Sequence, residues 1–183
     1  MGWGGVGGGV GLIGSSVALP NARLTELHTL PPATIELGMG AHGEPGLRQI
    51  SPVPSPEDLT SQMLDLLLDV SDEDRAFIPF SASSFPKDAS SSPADNEVVL
   101  LLNTLGSTSD EVLARFAELA IADLERRGFV VKRLTLGPLV TSLKMSGFGI
   151  TVWRLPPKEG EALTRDEALK LWDDKVDVVA WRQ

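Results

Sequence analysis

The 183-residue sequence contains no cysteine. That excludes a disulfide framework, a thiolate metal site and a cysteine nucleophile, and it suits a reducing, cytoplasmic setting. Its two histidines, His28 and His42, are too few for a histidine-rich metal cluster. A long hydrophobic run is also lacking: the apolar stretch from Val10 to Val17 is far too short to span a bilayer. The N-terminus has no basic n-region of a signal peptide, and Val6 stands where a myristoylation signal requires Ser or Thr. The expectation is a soluble chain with no membrane contact. Basic residues are outnumbered, 16 against 25 acidic, giving a formal net charge of -9. A surface of that sign repels phosphate backbones, so nucleic acid is not an expected partner.

Several chemistry-bearing motifs are missing as well. No G-x-x-x-x-G-K-[ST] segment offers a phosphate cradle, and the glycine loop and H-R-D set of protein kinases do not occur. There is no G-x-S-x-G elbow, and Ser142 has no histidine close in sequence, which argues against a serine hydrolase. Gly9-Val-Gly11-Leu-Ile-Gly14 fits the dinucleotide fingerprint by letters only, because no strand precedes it and its surroundings are glycine-rich throughout. His28, in a loop near prolines, receives no role.

What is present is enough for one domain with a real core, since 42% of the residues are hydrophobic. Residues 1–9 read as a flexible glycine-rich start, suggesting that the sequence begins in the middle of something, and 10–183 as one folded unit. Strands are expected over Val10 to Leu19, Thr34 to Gly40, Glu97 to Asn103, Phe129 to Leu136 and Phe148 to Leu155. The run from Glu97 reads as buried on both faces. Ser55-Pro56-Glu57-Asp58 supplies an N-cap, a proline at the first helical position and acids against the dipole, followed by Leu59, Met63, Leu66 and Leu67 at helical spacing. A second helix runs from Asp110 to Arg127 with Gly128 as its C-terminal stop, and a third opens at the capping box Thr164 to Glu167. Ser81 to Asp95, with its serines and prolines, reads as a low-complexity loop, and Ser51 to Ser55 as an extended connector. The fold class is α/β: a two-layer lobe with a mixed β-sheet and helices mainly on one face.

His42 is the candidate reactive residue. It stands just past an expected strand end, in the turn His42-Gly43-Glu44-Pro45-Gly46, whose glycines let a ligand approach the backbone. A neutral imidazole attacks an electrophilic carbonyl when one group orients the ring and another takes up the proton on oxygen. Glu44 either orients the ring or only stabilises the turn. Position alone leaves a reactive role evenly balanced against an ordinary turn, with His42, Gly43 and Glu44 the candidate substrate-binding residues and His42 the candidate catalytic one.

The segment Ile35-Glu-Leu-Gly-Met-Gly-Ala-His42-Gly-Glu-Pro-Gly46 resembles the one in dihydroxyacetone (glycerone) kinases that carries the substrate-binding histidine. Leu101 to Gly106 and Thr141 to Thr151 resemble two further signature segments of the same domain, in the family's order, and Leu171-Trp172-Asp173 resembles its C-terminal end. Asp74 to Phe77 is similar to fungal versions. The pattern departs at Thr104, where asparagine is common, at Lys144, where an acid or amide is common, and at Gly149, where serine is common. The resemblance implies that 10–183 is the C-terminal lobe of the kinase's substrate-binding domain. It implies that His42 holds dihydroxyacetone, or another short ketose or aldose, as a hemiaminal. It also implies a homodimer, ATP and Mg²⁺ bound by a separate domain without counterpart here, no cofactor in this chain, and little activity from this chain alone. On the same resemblance the rival readings are a non-catalytic carbonyl-binding or regulatory module and an incomplete gene product.

Overall fold

The computed structural model describes residues 11–22, 29–39, 45–69, 96–142, 145–156 and 163–177, and of 11–14 the backbone. The glycine-rich start, the serine-rich 81–95 stretch and Asp74 to Phe77 lie outside the described residues.

The described chain forms a mixed six-stranded sheet and three helices, an α/β lobe as expected. The strands are β1 (Gly11–Ala18), β2 (Ile35–Leu37), β3 (Arg48–Ile50), β4 (Glu97–Thr104), β5 (Val130–Gly137) and β6 (Gly147–Arg154), in the spatial order β3-β2-β1-β6-β4-β5. β4 and β5 are parallel and bracket a helix, whereas β6 runs antiparallel to both β1 and β4. β6 is thereby the central strand, and its start brings Gly147, Phe148 and Gly149 between the last residues of β1 and β4.

Local chemistry sets the helices where the sequence places them. In α1 (Pro56–Leu68) the Ser55 hydroxyl accepts from the Asp58 N–H at 3.0 Å, and Pro56 occupies the first turn, where no N–H is needed. In α2 (Asp110–Arg126) Ser109 caps the start, and Gly128, at φ +87°, donates its N–H to the Glu125 carbonyl at 2.9 Å. α3 (Arg165–Asp173) opens on a complete capping box, with the Thr164 N–H donating to the Glu167 carboxylate at 2.9 Å. Thr164→Ala removes the cap that starts this short helix and is expected to cost about 1 kcal/mol of stability. Urea denaturation checks this, and an unchanged midpoint would contradict it.

Alternation along the strands separates two faces. Val98, Leu100 and Leu102 of β4, with Phe148, Ile150 and Val152 of β6, bury against Leu59, Met63, Leu113 and Phe116 of α1 and α2. On the opposite face Val99 and Leu155 pack with Ala168 of α3, and Trp153 meets Trp172 with ring centroids 5.4 Å apart. An ion pair at 2.9 Å from the buried Arg165 to Glu97 ties α3 to β4.

Between α1 and α2, Arg127 bridges Asp123 at 3.0 Å and Asp65 at 2.7 Å, and donates to the Ser61 hydroxyl at 3.0 Å. Burial alone would raise the Asp123 carboxyl, but hydrogen bonding and charge from Arg127, with a further contribution from Arg126, outweigh it and hold Asp123 below the ordinary carboxylate range. A folded-state pKa depressed below the unfolded one stabilises the fold at neutral pH. That contribution is lost as pH falls through the unfolded value near 3.8 and on through the lower folded one. Asp123→Asn should lower stability at pH 7 and flatten its acid dependence, which denaturation at a series of pH values reads. A parallel offset at all pH values would contradict the assignment.

Candidate functional site

The sequence-predicted residues His42, Gly43 and Glu44 lie outside the described residues, but both ends of the loop that carries them are defined. β2 stops at Leu37, earlier than the alternating pattern to Gly40 suggests, because Gly38 turns with φ +80°. Its N–H donates to the Ser16 carbonyl at 2.7 Å, and the Ser16 hydroxyl donates to the Met39 carbonyl at 2.7 Å. A Cβ on Gly38 would sit 2.7 Å from Leu47, so the outgoing and returning arms touch here.

The returning arm is held by Glu36. One carboxylate oxygen accepts the Gly46 N–H at 2.6 Å and the other accepts from the Gln49 amide at 2.9 Å. The Leu47 N–H donates to the Leu37 carbonyl at 2.8 Å, closing the pair, and β3 follows in register with β2. A Cβ on Gly46 would fall 2.5 Å from Glu36 Cγ and 2.8 Å from the Leu37 carbonyl oxygen, so only glycine lets the two arms come this close. Glu36 is only 6% exposed, a buried acid whose two oxygens are both used.

Beside the loop, one cross-strand row joins Ser16, Gly149, Asn103 and Gly137 on the face opposite α1 and α2. A Cβ on Gly137 would meet nothing within 4 Å, and one on Gly149 would make only ordinary contacts with β1, so crowding demands glycine at neither position in this row. Asn103 fixes its far end: its side-chain oxygen accepts the Leu139 N–H at 2.7 Å and the Val140 N–H at 2.6 Å, and its amide donates to the Val140 carbonyl at 2.7 Å. Thr104 accepts the Gly106 N–H at 3.2 Å and donates to the Thr108 carbonyl at 3.1 Å. The Thr108 hydroxyl donates to the Gly147 carbonyl at 2.7 Å and accepts the Gly147 N–H at 3.0 Å. Gly106, at φ +130°, lies so near Ser142 that a Cβ would be 2.9 Å from its carbonyl oxygen.

Asn103 of the 101–106 segment and Gly149 of the 141–151 segment thus lie in one cross-strand row with Ser16, whose hydroxyl also holds Met39 at the described end of the 38–46 loop. Thr104 and Gly149, both departures from the usual pattern, keep structural roles here. Glu36 is the residue that sequence reading leaves unremarked. Alternation places it on the opposite face from Ile35 and Leu37, but nothing in the sequence names partners ten and thirteen residues away. Among the described residues, no group of three His, Cys, Asp or Glu side chains could hold a metal ion.

A family model described as the Dak1 domain matches residues 8–180. The chain belongs to the Dak1 domain family. Dihydroxyacetone kinase 1 of Saccharomyces cerevisiae is 40% identical over 120 residues, covering 64% of this chain and 18% of the relative. Dihydroxyacetone kinase 2 of the same yeast is 36% identical over 149 residues, covering 81% and 22%. Triokinase/FMN cyclase of Rattus norvegicus is 32% identical over 174 residues, covering 95% and 26%. This Dak1 chain therefore spans about a fifth to a quarter of the length of these relatives. Among solved structures, one described as the dihydroxyacetone kinase operon co-activator Dha-DhaQ superposes with a TM-score of 0.57 at 26% identity, covering 78% of this chain and 39% of the other. The dihydroxyacetone kinase of C. freundii, solved in complex with AMP-PNP and Mg²⁺, shares the fold at 24% identity and a TM-score of 0.55, covering 79% and 23%.

Proposed function

We propose that this chain is the C-terminal lobe of a dihydroxyacetone-kinase substrate-binding domain, and that it holds dihydroxyacetone, or another short ketose or aldose, covalently on His42. The observation that carries the reading is the loop neck: in a Dak1-family chain, the segment bearing His42 leaves and re-enters the sheet through two arms fixed by Glu36, Ser16 and two glycines. A reactive group on a loop needs a rigid scaffold at its base.

In the proposed step an imidazole nitrogen donates its lone pair to the ketone carbon, forming an N–C bond. The C=O π pair moves to oxygen, which takes a proton, while the other ring nitrogen gives one up. The result is addition of N–H across the carbonyl, a hemiaminal, with nothing oxidised or reduced. In this reading Glu44, two residues on in sequence, orients the ring or stabilises the turn, and Gly43 gives the substrate access to the backbone. Glycerol, having no carbonyl, cannot form this bond, which gives far sharper discrimination than hydrogen bonds to a triol and a similar dihydroxyketone could.

ATP and Mg²⁺ belong in this reading to a separate domain. The chemistry assigned to this chain in that reading stops at the adduct. In-line phosphoryl transfer depends on a positioned donor and a base, so the chain alone is expected to turn over little substrate. The same reading places the protein in the cytoplasm, in keeping with the absence of cysteine. Among the described residues no helix is long and apolar enough to cross a membrane.

Calorimetric titration with dihydroxyacetone and with glycerol tests the proposal. Dihydroxyacetone should bind, glycerol should not, and His42→Ala should abolish binding. Equal binding of both ligands, or undiminished binding by His42→Ala, would overturn it. A second reading, a carbonyl-sensing module without turnover, is favoured by the likeness to the operon co-activator. Supplying the ATP-binding domain of a related kinase with Mg–ATP separates the two: phosphorylated product supports the kinase, and adduct without product supports the sensor.

A further inference from the structure

Glu36 is a buried carboxylate on a three-residue strand, and its two oxygens serve the far arm of the loop rather than its own strand. Burying a charge is costly unless every lone pair is used, and here the cost supports one feature, the spacing between Leu37 and Gly46. We infer that Glu36 is a positioning residue for the His42 loop: its carboxylate fixes where the returning arm meets the sheet, and so sets the geometry in which the loop presents its substrate-binding group. The inference rests on the reading of His42 as carbonyl anchor.

Two features argue that the clamp is built rather than incidental. Gly46 brings its backbone so near Glu36 that any Cβ would collide with both the Glu36 stem and the Leu37 carbonyl, so the 2.6 Å bond exists only because position 46 is glycine. The opposite arm has an equivalent anchor at Ser16 and Met39. The Gly46 bond is charge-assisted and short, and its removal leaves a half-buried donor without its partner.

The chemistry also separates Glu36 from a mere source of negative charge. A glutamine at 36 can accept the Gly46 N–H through its carbonyl oxygen. Its amide then faces Gln49, which turns its own amide over to present oxygen. Geometry is retained while charge is lost. Glu36→Gln should therefore keep dihydroxyacetone affinity within about threefold of the parent, whereas Glu36→Ala should weaken it about 10- to 100-fold.

The test measures dihydroxyacetone affinity by calorimetry for the parent chain, Glu36→Gln, Glu36→Ala and Gln49→Ala, with His42→Ala as control. Hydrogen exchange of the 38–47 peptide is followed in the same variants. Gln49→Ala removes one of the two bonds and serves if Glu36→Ala fails to fold. The expected result is faster exchange confined to 38–47 in Glu36→Ala, intermediate in Gln49→Ala and near the parent in Glu36→Gln, with affinity falling in the same order. Equal loss of affinity in Glu36→Gln and Glu36→Ala would assign the effect to charge and overturn the inference. So would unchanged exchange and affinity in both alanine variants while His42→Ala loses binding. A parent chain that binds no dihydroxyacetone would instead overturn the His42 reading and the functional role of the clamp with it, and hydrogen exchange would still decide whether Glu36 holds the arms.

Discussion

Phe148→Ala is expected to destabilise the protein by about 3–5 kcal/mol, the largest loss for any single side chain discussed here. Phe148 is fully buried at the start of the central strand and meets Phe116 of α2 with ring centroids 4.2 Å apart. It is flanked by Gly147 and Gly149, which bring β1 and β4 close on either side and leave little slack for collapse. A Cβ at 147 would already strike the Val17 carbonyl oxygen and approach a Leu105 methyl, so backbone cannot move in to fill the void. The cavity should persist, and the melting temperature should fall by roughly 10 °C. Denaturant titration reads the change directly. A loss below about 1.5 kcal/mol would mean that the sheet and α2 close over the site.

Asn103→Ala is expected to cost about 2–3 kcal/mol, because it removes three hydrogen bonds at once and takes from the Val140 N–H its partner, while the Leu139 N–H keeps the Gly137 carbonyl. Asn103 is 9% exposed, and its side chain accepts from both the Leu139 and Val140 N–H groups and donates to the Val140 carbonyl. Most of the loss should appear as a disordered turn after β5 rather than as a melted core, since Leu102 and Leu100 stay packed on the other face. Hydrogen exchange should rise first at 138–142. Exchange rising evenly across β4 and β6 instead would show that Asn103 supports the sheet itself.

Elements whose sequence carries a complete local code were legible in advance. α1 and α3 start at the Ser55 and Thr164 caps, α2 ends before Gly128, and the long strands follow their apolar runs. β3 was not legible: three residues, mostly exposed at the sheet edge, offer no periodic signal, and they are a strand only because the loop returns Arg48–Ile50 to β2. The strand order, with β6 inserted between β1 and β4, was equally hidden, since no local pattern encodes pairing across more than a hundred residues. Packing of α3 on the second face depends on Val99 and Trp153 meeting Ala168 and Trp172, which periodicity cannot join. For the site, the resemblance around Ile35 to Gly46 names a loop whose two ends are fixed next to Ser16 and β3, while His42, Gly43 and Glu44 themselves lie outside the described residues. The clamp by Glu36 was invisible because a carboxylate in an alternating strand reads as solvent-facing until its partners are placed.

The most direct test of the central claim is NMR of the chain, labelled with ¹⁵N at histidine, mixed with dihydroxyacetone carrying ¹³C at the carbonyl. A covalent hemiaminal on His42 predicts a new tetrahedral carbon resonance with a one-bond coupling to an imidazole nitrogen, absent in His42→Ala. Free ketone and its hydrate alone, without that coupling, from a chain shown to be folded, would contradict covalent capture by this lobe.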